Sequence, residues 1–222
     1  MKTTHQLHWN INVGKKMLAA ILVITGMSAI SSVARAQAVD MGAALGYSTL
    51  NLDSPTPSTQ TAITDAFNAG TFVNNMNSSS ANASANGFFL SPTLLAVHNT
   101  TTIQLSSSNS IYDFATIQLS GGTLDINGPS GDKVILYLNG ELTLTGGNIL
   151  VSGGLSSKNV LVYLSGSTAG TGVINNATVD GTILAPQRDV VVEGTSVVQG
   201  GVYANQVTVN SPAEVVSPEF AQ

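Results

Sequence analysis

The residues best suited to chemistry lie late in the chain. Arg188 and Asp189 are adjacent, with Asp180 upstream and Glu193 downstream. A glycan hydrolase needs paired carboxylates, and a metal-assisted lyase needs a strong base or cation beside the ion. Asp189 and Glu193, however, straddle the apolar run Val190 to Val192, and no second cluster supports them. The grouping therefore reads as a solvated corner with a weak surface ion pair. His98, in Leu94 to Asn99, is the one histidine beyond residue 36, and a single imidazole makes no metal site. No serine sits in a Gly-x-Ser-x-Gly elbow. Asp125, Asp132 and Glu141 offer hard oxygen donors of the kind Ca²⁺ takes, but no Gly-Gly-x-Gly-x-Asp repeat accompanies them. Asn77, Asn82, Asn99 and Asn176 begin Asn-x-Ser/Thr triplets, which chance supplies in so Asn-, Ser- and Thr-rich a chain. The expectation is a non-catalytic protein with no cofactor and no bound metal.

Charge and targeting narrow the classes further. The first residues look like a secretory signal: Lys2, Lys15 and Lys16 precede the apolar stretch Met17 to Ile30, and Ala34-Arg35-Ala36 offers a cleavage site, with Ala36-Gln37-Ala38 as a second. Removing residues 1–36 leaves Lys133, Lys158 and Arg188 as the only cations against twelve acids, a formal charge of −9. Neutralising phosphates takes several Lys and Arg, so nucleic acid is excluded as a partner, and an anionic membrane surface for the same reason. The chain has no cysteine, which removes disulfides, thiolate metal sites and thiol catalysis. The expected location is extracellular or on the cell surface.

The elements that would position any site follow from the hydrophobic pattern. Residues 37–102 read as a flanking region: a strand over Tyr47 to Leu52, then a helix over about 59–74 behind Ser58 as a candidate N-cap, then a polar loop from Ser78 to Asn86. Residues 103–222 read as coils of short β-runs separated by Gly, Asn and Ser. Two internal repeats support this. Lys133 to Gly140 matches Asn159 to Gly166, 26 residues on, and Val179 to Pro186 matches Val198 to Asn205, 19 residues on. Such a period suits a parallel β-helix with three short strands per coil. Val134 to Leu138 and Val160 to Leu164 are apolar at every position, so both of their faces should be covered. The coil interior covers one. The helix is the expected lid on the other, with Ile63, Ala66 and Phe67 against Ile135, Tyr137, Leu161, Tyr163, Leu184 and Tyr203.

The C-terminal pattern also carries a resemblance. Gly181-Thr182-Ile183-Leu184-Ala185-Pro186, then Asp189 to Gly194, then Val198 to Ala204 is similar to the end of bacterial choice-of-anchor A domains and of related pilus-associated β-solenoids. The likeness spans about residues 115–216, with Asn159 to Gly166 resembling the strand before it. A more distant likeness is to the microbial ice-binding domain, carried by the helix-then-coils order and Gly-Thr-Ile-Leu-Ala. It implies a mainly β fold, a right-handed parallel β-helix of triangular section with one α-helix along a face. Residues 217–222 have neither the apolar segment nor the basic residues of the sorting tail that choice-of-anchor A proteins often carry, so retention by such a tail is not expected. In the alternating strands the outward residues would be Thr123 and Asp125, Thr143 and Thr145, Val191 and Glu193, and Thr208 and Asn210. Thr123, Asp125, Thr143, Thr145, Thr208 and Asn210 form the expected binding face, for an extracellular surface, polysaccharide or protein matrix. Ice binding is the alternative, although charges in two of the four ranks spoil a match to a regular ice plane. A polysaccharide-active enzyme is the second alternative.

Overall fold

A computed structural model of the protein describes residues 39–78, 89–91, 95–97, 99–105, 109–167 and 170–216. The expected signal segment, the polar stretch 79–88 and His98 lie outside these residues. The fold is mainly β with one α-helix, and the strand pairings are parallel. After a 3-10 turn at Gly42–Gly46 come β1 (Thr49–Asn51) and α1 (Gln60–Ser78). Six rungs of three short strands follow. They are β2 (Phe89–Ser91), β3 (Leu95–Val97) and β4 (Thr100–Gln104); β5 (Asn109–Phe114), β6 (Ile117–Ser120) and β7 (Thr123–Asn127); β8 (Lys133–Leu138), β9 (Leu142–Thr145) and β10 (Asn148–Ser152). Next come β11 (Val160–Leu164), β12 (Gly172–Asn175) and β13 (Thr178–Val179); β14 (Thr182–Ala185), β15 (Val190–Glu193) and β16 (Val197–Val198); and β17 (Val202–Ala204), β18 (Val207–Val209) and β19 (Glu214–Val215). The winding thus starts one rung before residue 103, the point from which the sequence pattern was legible.

Each strand bonds to the strand three places on, so the chain visits three sheets in rotation. Sheet I has the order β1-β17-β14-β11-β8-β5-β2, sheet II is β18-β15-β12-β9-β6-β3, and sheet III is β19-β16-β13-β10-β7-β4. This is a β-helix-like arrangement. The two fully apolar strands lie side by side as the repeat predicts, with Val160 beside Val134 and Leu164 beside Leu138. The core is built from the inward residue of each strand. One column runs Leu119, Leu144, Ile174 and Val192, all fully buried. Burying each such side chain contributes roughly 1.5–3 kcal/mol, which is the support a chain without disulfides needs.

The second core lies between sheet I and α1. Ala62, Ile63, Ala66, Ala69 and Val73 are buried there with Ile135, Tyr137, Leu161, Tyr163, Leu184 and Tyr203. Gly70 lets the helix come close, because a Cβ there would lie 2.7 Å from Pro186 Cγ. Phe67, expected in this interface, is 40 % exposed. It flanks the stripe of Ala62, Ile63, Ala66, Ala69 and Val73 and faces outward. The tyrosines of the interface bring polar tips that need partners. Tyr137 Oη donates to Asn74 Oδ1 at 3.1 Å, and Tyr203 Oη donates to the Tyr47 carbonyl at 2.9 Å. Burial pushes the Tyr203 phenol up to about 12 and raises that of Tyr163 as well. Among the described residues, no helix is long and apolar enough to cross a membrane.

Candidate binding face

One corner sets the geometry of sheet II. Gly121, Gly146, Asn176 and Gly194 each follow a sheet II strand, and all have positive φ, between +50° and +73°. Glycine reaches this left-handed region freely and asparagine tolerates it. The same turn recurs in successive rungs, so the strands before it stay in register. Thr195 reinforces the corner by donating from its backbone N to Asn176 Oδ1 at 3.0 Å.

The register produces two outward columns on sheet II. Gln118, Thr143, Val173, Val191 and Thr208 form one. Ser120, Thr145, Asn175 and Glu193 form the other, and Asn210, whose N–H donates to the Val192 carbonyl at 2.8 Å, extends it. Steps between neighbouring strands are about 4.8 Å. These side chains are half-buried or exposed, while the residues between them point into the core. Asn175 Nδ2 donates to Glu193 Oε1 at 2.9 Å across two rungs, so that part of the column is tied down.

Thr143, Thr145, Thr208 and Asn210 therefore stand together as the sequence pattern suggests. Thr123 and Asp125 do not join them. They lie on β7 in sheet III, beside Thr100 and Thr102 in one rung and Asn148 and Leu150 in the next. The sheet II residues of that rung are Gln118 and Ser120. Alternation alone shows that a strand has a wet face, but not which sheet it joins. The recurring corner helps: in four rungs the residue before a positive-φ Gly or Asn ends a sheet II strand, although Gly153 (φ +70°) follows β10 of sheet III. Counting back from Gly121 would have found Ser120 and Gln118, and from Asn176 would have found Asn175 and Val173.

Sheet III differs in character. Its strands shorten to two residues from β13 onward. Its polar groups bond between rungs: Thr102 Oγ1 to Asp125 Oδ2 at 3.4 Å, Asn127 Nδ2 to Ser152 Oγ at 2.8 Å, and the Thr178 N–H to Asn148 Oδ1 at 2.8 Å. Sheet I is covered by α1. Sheet II is left as a broad face that α1 does not cover.

A family model described as "Domain of unknown function (DUF7305)" matches residues 48–219. The chain belongs to that family. The DUF7305 match runs from β1 to beyond β19, so the helix lid and all six rungs fall within it. No curated protein matches the chain.

The Arg188 grouping is not a cluster of reactive groups. Arg188 is buried. Its Nη1 donates to the Gly140 carbonyl at 2.6 Å, and its Nε and Nη2 donate to the Gly170 carbonyl at 3.0 and 2.8 Å. Gly140, Gly170 and Arg188 occupy the sheet I to sheet II corner of three successive rungs, so the guanidinium pins those corners together. Burial lowers its pKa, and the nearby Glu141 charge works the other way. Asp189 Oδ1 accepts from Asn205 Nδ2 at 2.8 Å. Asp180 sits at a different corner, where Oδ2 accepts from the Val151 N–H at 3.2 Å. Glu193 ends a sheet II strand, on Asn175. The expected solvated corner with a surface ion pair is thus replaced by a buried cation on backbone carbonyls. Asp125, Asp132 and Glu141 are likewise spread over β7 and two different corners. Among the described residues no three His, Cys, Asp or Glu side chains are grouped to hold a metal ion.

Proposed function

We propose that the chain is an exported extracellular structural or adhesive module that holds a surface or polymer through the two columns on sheet II, without catalysis. The observation that carries this reading is the face itself: two in-register outward columns over five rungs, with Gln118, Thr143 and Thr208 in one and Ser120, Thr145, Asn175 and Asn210 in the other, on a broad sheet that α1 does not cover. A polymer or matrix lying along the axis meets polar contacts in the second, third, fourth and sixth rungs, and many weak contacts add through effective concentration. The winding is read as right-handed, the hand that crossovers between parallel strands of one sheet take. Residues 1–36 are read as the signal that exports it. The likeness to choice-of-anchor A domains supports the same setting.

The experiment is adsorption of residues 37–222 to insoluble polysaccharides, peptidoglycan and extracellular protein matrix, with Thr143→Tyr and Thr208→Tyr beside the native chain. Both substitutions are outward, so circular dichroism should not change while retention on at least one surface falls. Retention that both variants keep on every surface, or no retention at all, contradicts the proposal. Thermal hysteresis measured on the same samples tests ice binding, against which Val173, Val191 and Glu193 break the hydroxyl ranks.

A further inference from the structure

The two ends of the winding differ in how their edges are closed. In sheet I, β1 comes back from the N-terminal side and pairs with β17, taking the place a seventh rung would fill. Leu50 is buried there. Among the described residues sheet II receives no such strand: β18 is bonded to β15 along one edge, and no described strand pairs with its other edge. The consequence appears in the core column: Leu119, Leu144, Ile174 and Val192 are fully buried, but Val209, the next inward residue, is 38 % exposed. The Asn210 N–H is spent on Val192, so the alternating neighbour, Val209, turns its backbone groups to the open edge. Val207 N, on the same edge, is already taken by Asn51 Oδ1 at 2.6 Å.

β1 extends sheet I by one strand beyond β17, so the edge of β18 lies one strand short of its neighbour on the sheet I side. Natural edges are blunted by lysine, proline or bulges, but Val207-Thr208-Val209 carries none of these within the strand. The charges around it are of one sign. Asp53, whose Oδ2 accepts from Gln206 Nε2 at 2.8 Å, stands at one end of β18. Glu193 lies on the strand below, and exposed Glu214 lies on β19. Lys133 and Lys158 belong to the third and fourth rungs, and Arg188 is buried on its carbonyls.

We propose that the open edge of β18 docks an extended segment of a partner protein with an apolar inward residue and lysine or arginine at its ends. The partner strand would pair with the Val209 backbone, cover the Val209 side chain, and set its cations against Asp53 and Glu214. A second copy of the chain is disfavoured. Tail to tail it would set these acids against each other, and head to tail its β2 would need the sheet I position that β1 fills. The inference does not depend on what sheet II's face binds.

The test uses a labelled peptide, Lys-Val-Thr-Val-Thr-Val-Lys, and its Glu-flanked counterpart, with anisotropy measured on residues 37–222 at low and high salt. The Lys peptide should bind and weaken with salt, and the Glu peptide should bind at least about tenfold more weakly. Val209→Pro, which removes the edge N–H, should abolish binding, and Glu214→Lys should weaken it several-fold. Hydrogen exchange at the Val209 amide of the native chain should slow when the Lys peptide is added, a readout that stands even if the proline variant fails to fold. Absence of binding, equal binding of both peptides, or no added protection at Val209 overturns the proposal. So does a sedimentation profile showing a dimer of the chain alone that Val209→Pro dissociates.

Discussion

Replacing Arg188 by methionine should destabilise the protein by about 2–3 kcal/mol. The guanidinium gives three hydrogen bonds to two carbonyls, those of Gly140 and Gly170. Bonds to a charged group contribute about 1.5–3 kcal/mol each, and a buried acceptor left without a partner costs about 1–3 kcal/mol. Two effects bring the sum down. Burying the cation costs solvation, consistent with its lowered pKa. Gly170 is exposed and Gly140 half-buried, so water replaces part of what is lost. Methionine keeps most of the aliphatic volume, so the loss reports on the bonds. The assay is urea denaturation followed by circular dichroism, with stability read from the midpoint at constant m-value. Arg188→Lys should fall between, since a single ammonium does not span both carbonyls with the same fork. A methionine variant within about 0.5 kcal/mol of the native chain, the range of surface substitutions, would refute the claim that Arg188 pins the three corners.

Thr182→Val should stabilise the fold by about 1 kcal/mol, because Thr182 Oγ1 is buried with no hydrogen-bond partner and valine has nearly the same shape; a lower melting temperature would show that the hydroxyl has a use. Asp180→Asn should be neutral or stabilising at pH 7. Burial raises the Asp180 pKa above its ordinary 3.8, against the weaker opposing effect of the Val151 N–H. Its ionisation therefore costs stability once the pH exceeds the folded-state value. Asparagine keeps an acceptor for Val151. As the pH falls through that value toward 3.8, the native chain should gain on the variant; a native chain that loses ground on acidification contradicts the sign.

What the sequence made legible and what it hid have physical causes. Val134 to Leu138 and Val160 to Leu164 announce parallel neighbours and a lid because no position in either run tolerates water. The helix is legible from its spacing, but Ile63 and Phe67 sit a turn apart and hydrophobicity alone does not say which side of the stripe closes on the sheet. The sequence pattern ranks Thr123 and Asp125 with Thr143 and Thr208, whereas they lie in sheet III, because a two-residue period is the same on each of the three sheets. The role of β1 in closing sheet I joins residues separated by most of the chain, Leu50 and Tyr203, and no local pattern records that pairing. The buried setting of Arg188 is hidden for the same reason: its acceptors are backbone carbonyls of glycines from two other rungs.

The in-register polar columns of sheet II are the premise of the functional reading, and a pair of spin labels tests them directly. Gln118 and Thr208 are four rungs apart in one column. At about 4.8 Å per rung their backbones stand about 19 Å apart. A narrow electron–electron distance distribution near that value, widened only by the label arms, is the expected result. A broad distribution, or a sharp one beyond about 30 Å, well outside what four strand spacings allow, would mean that the columns do not exist.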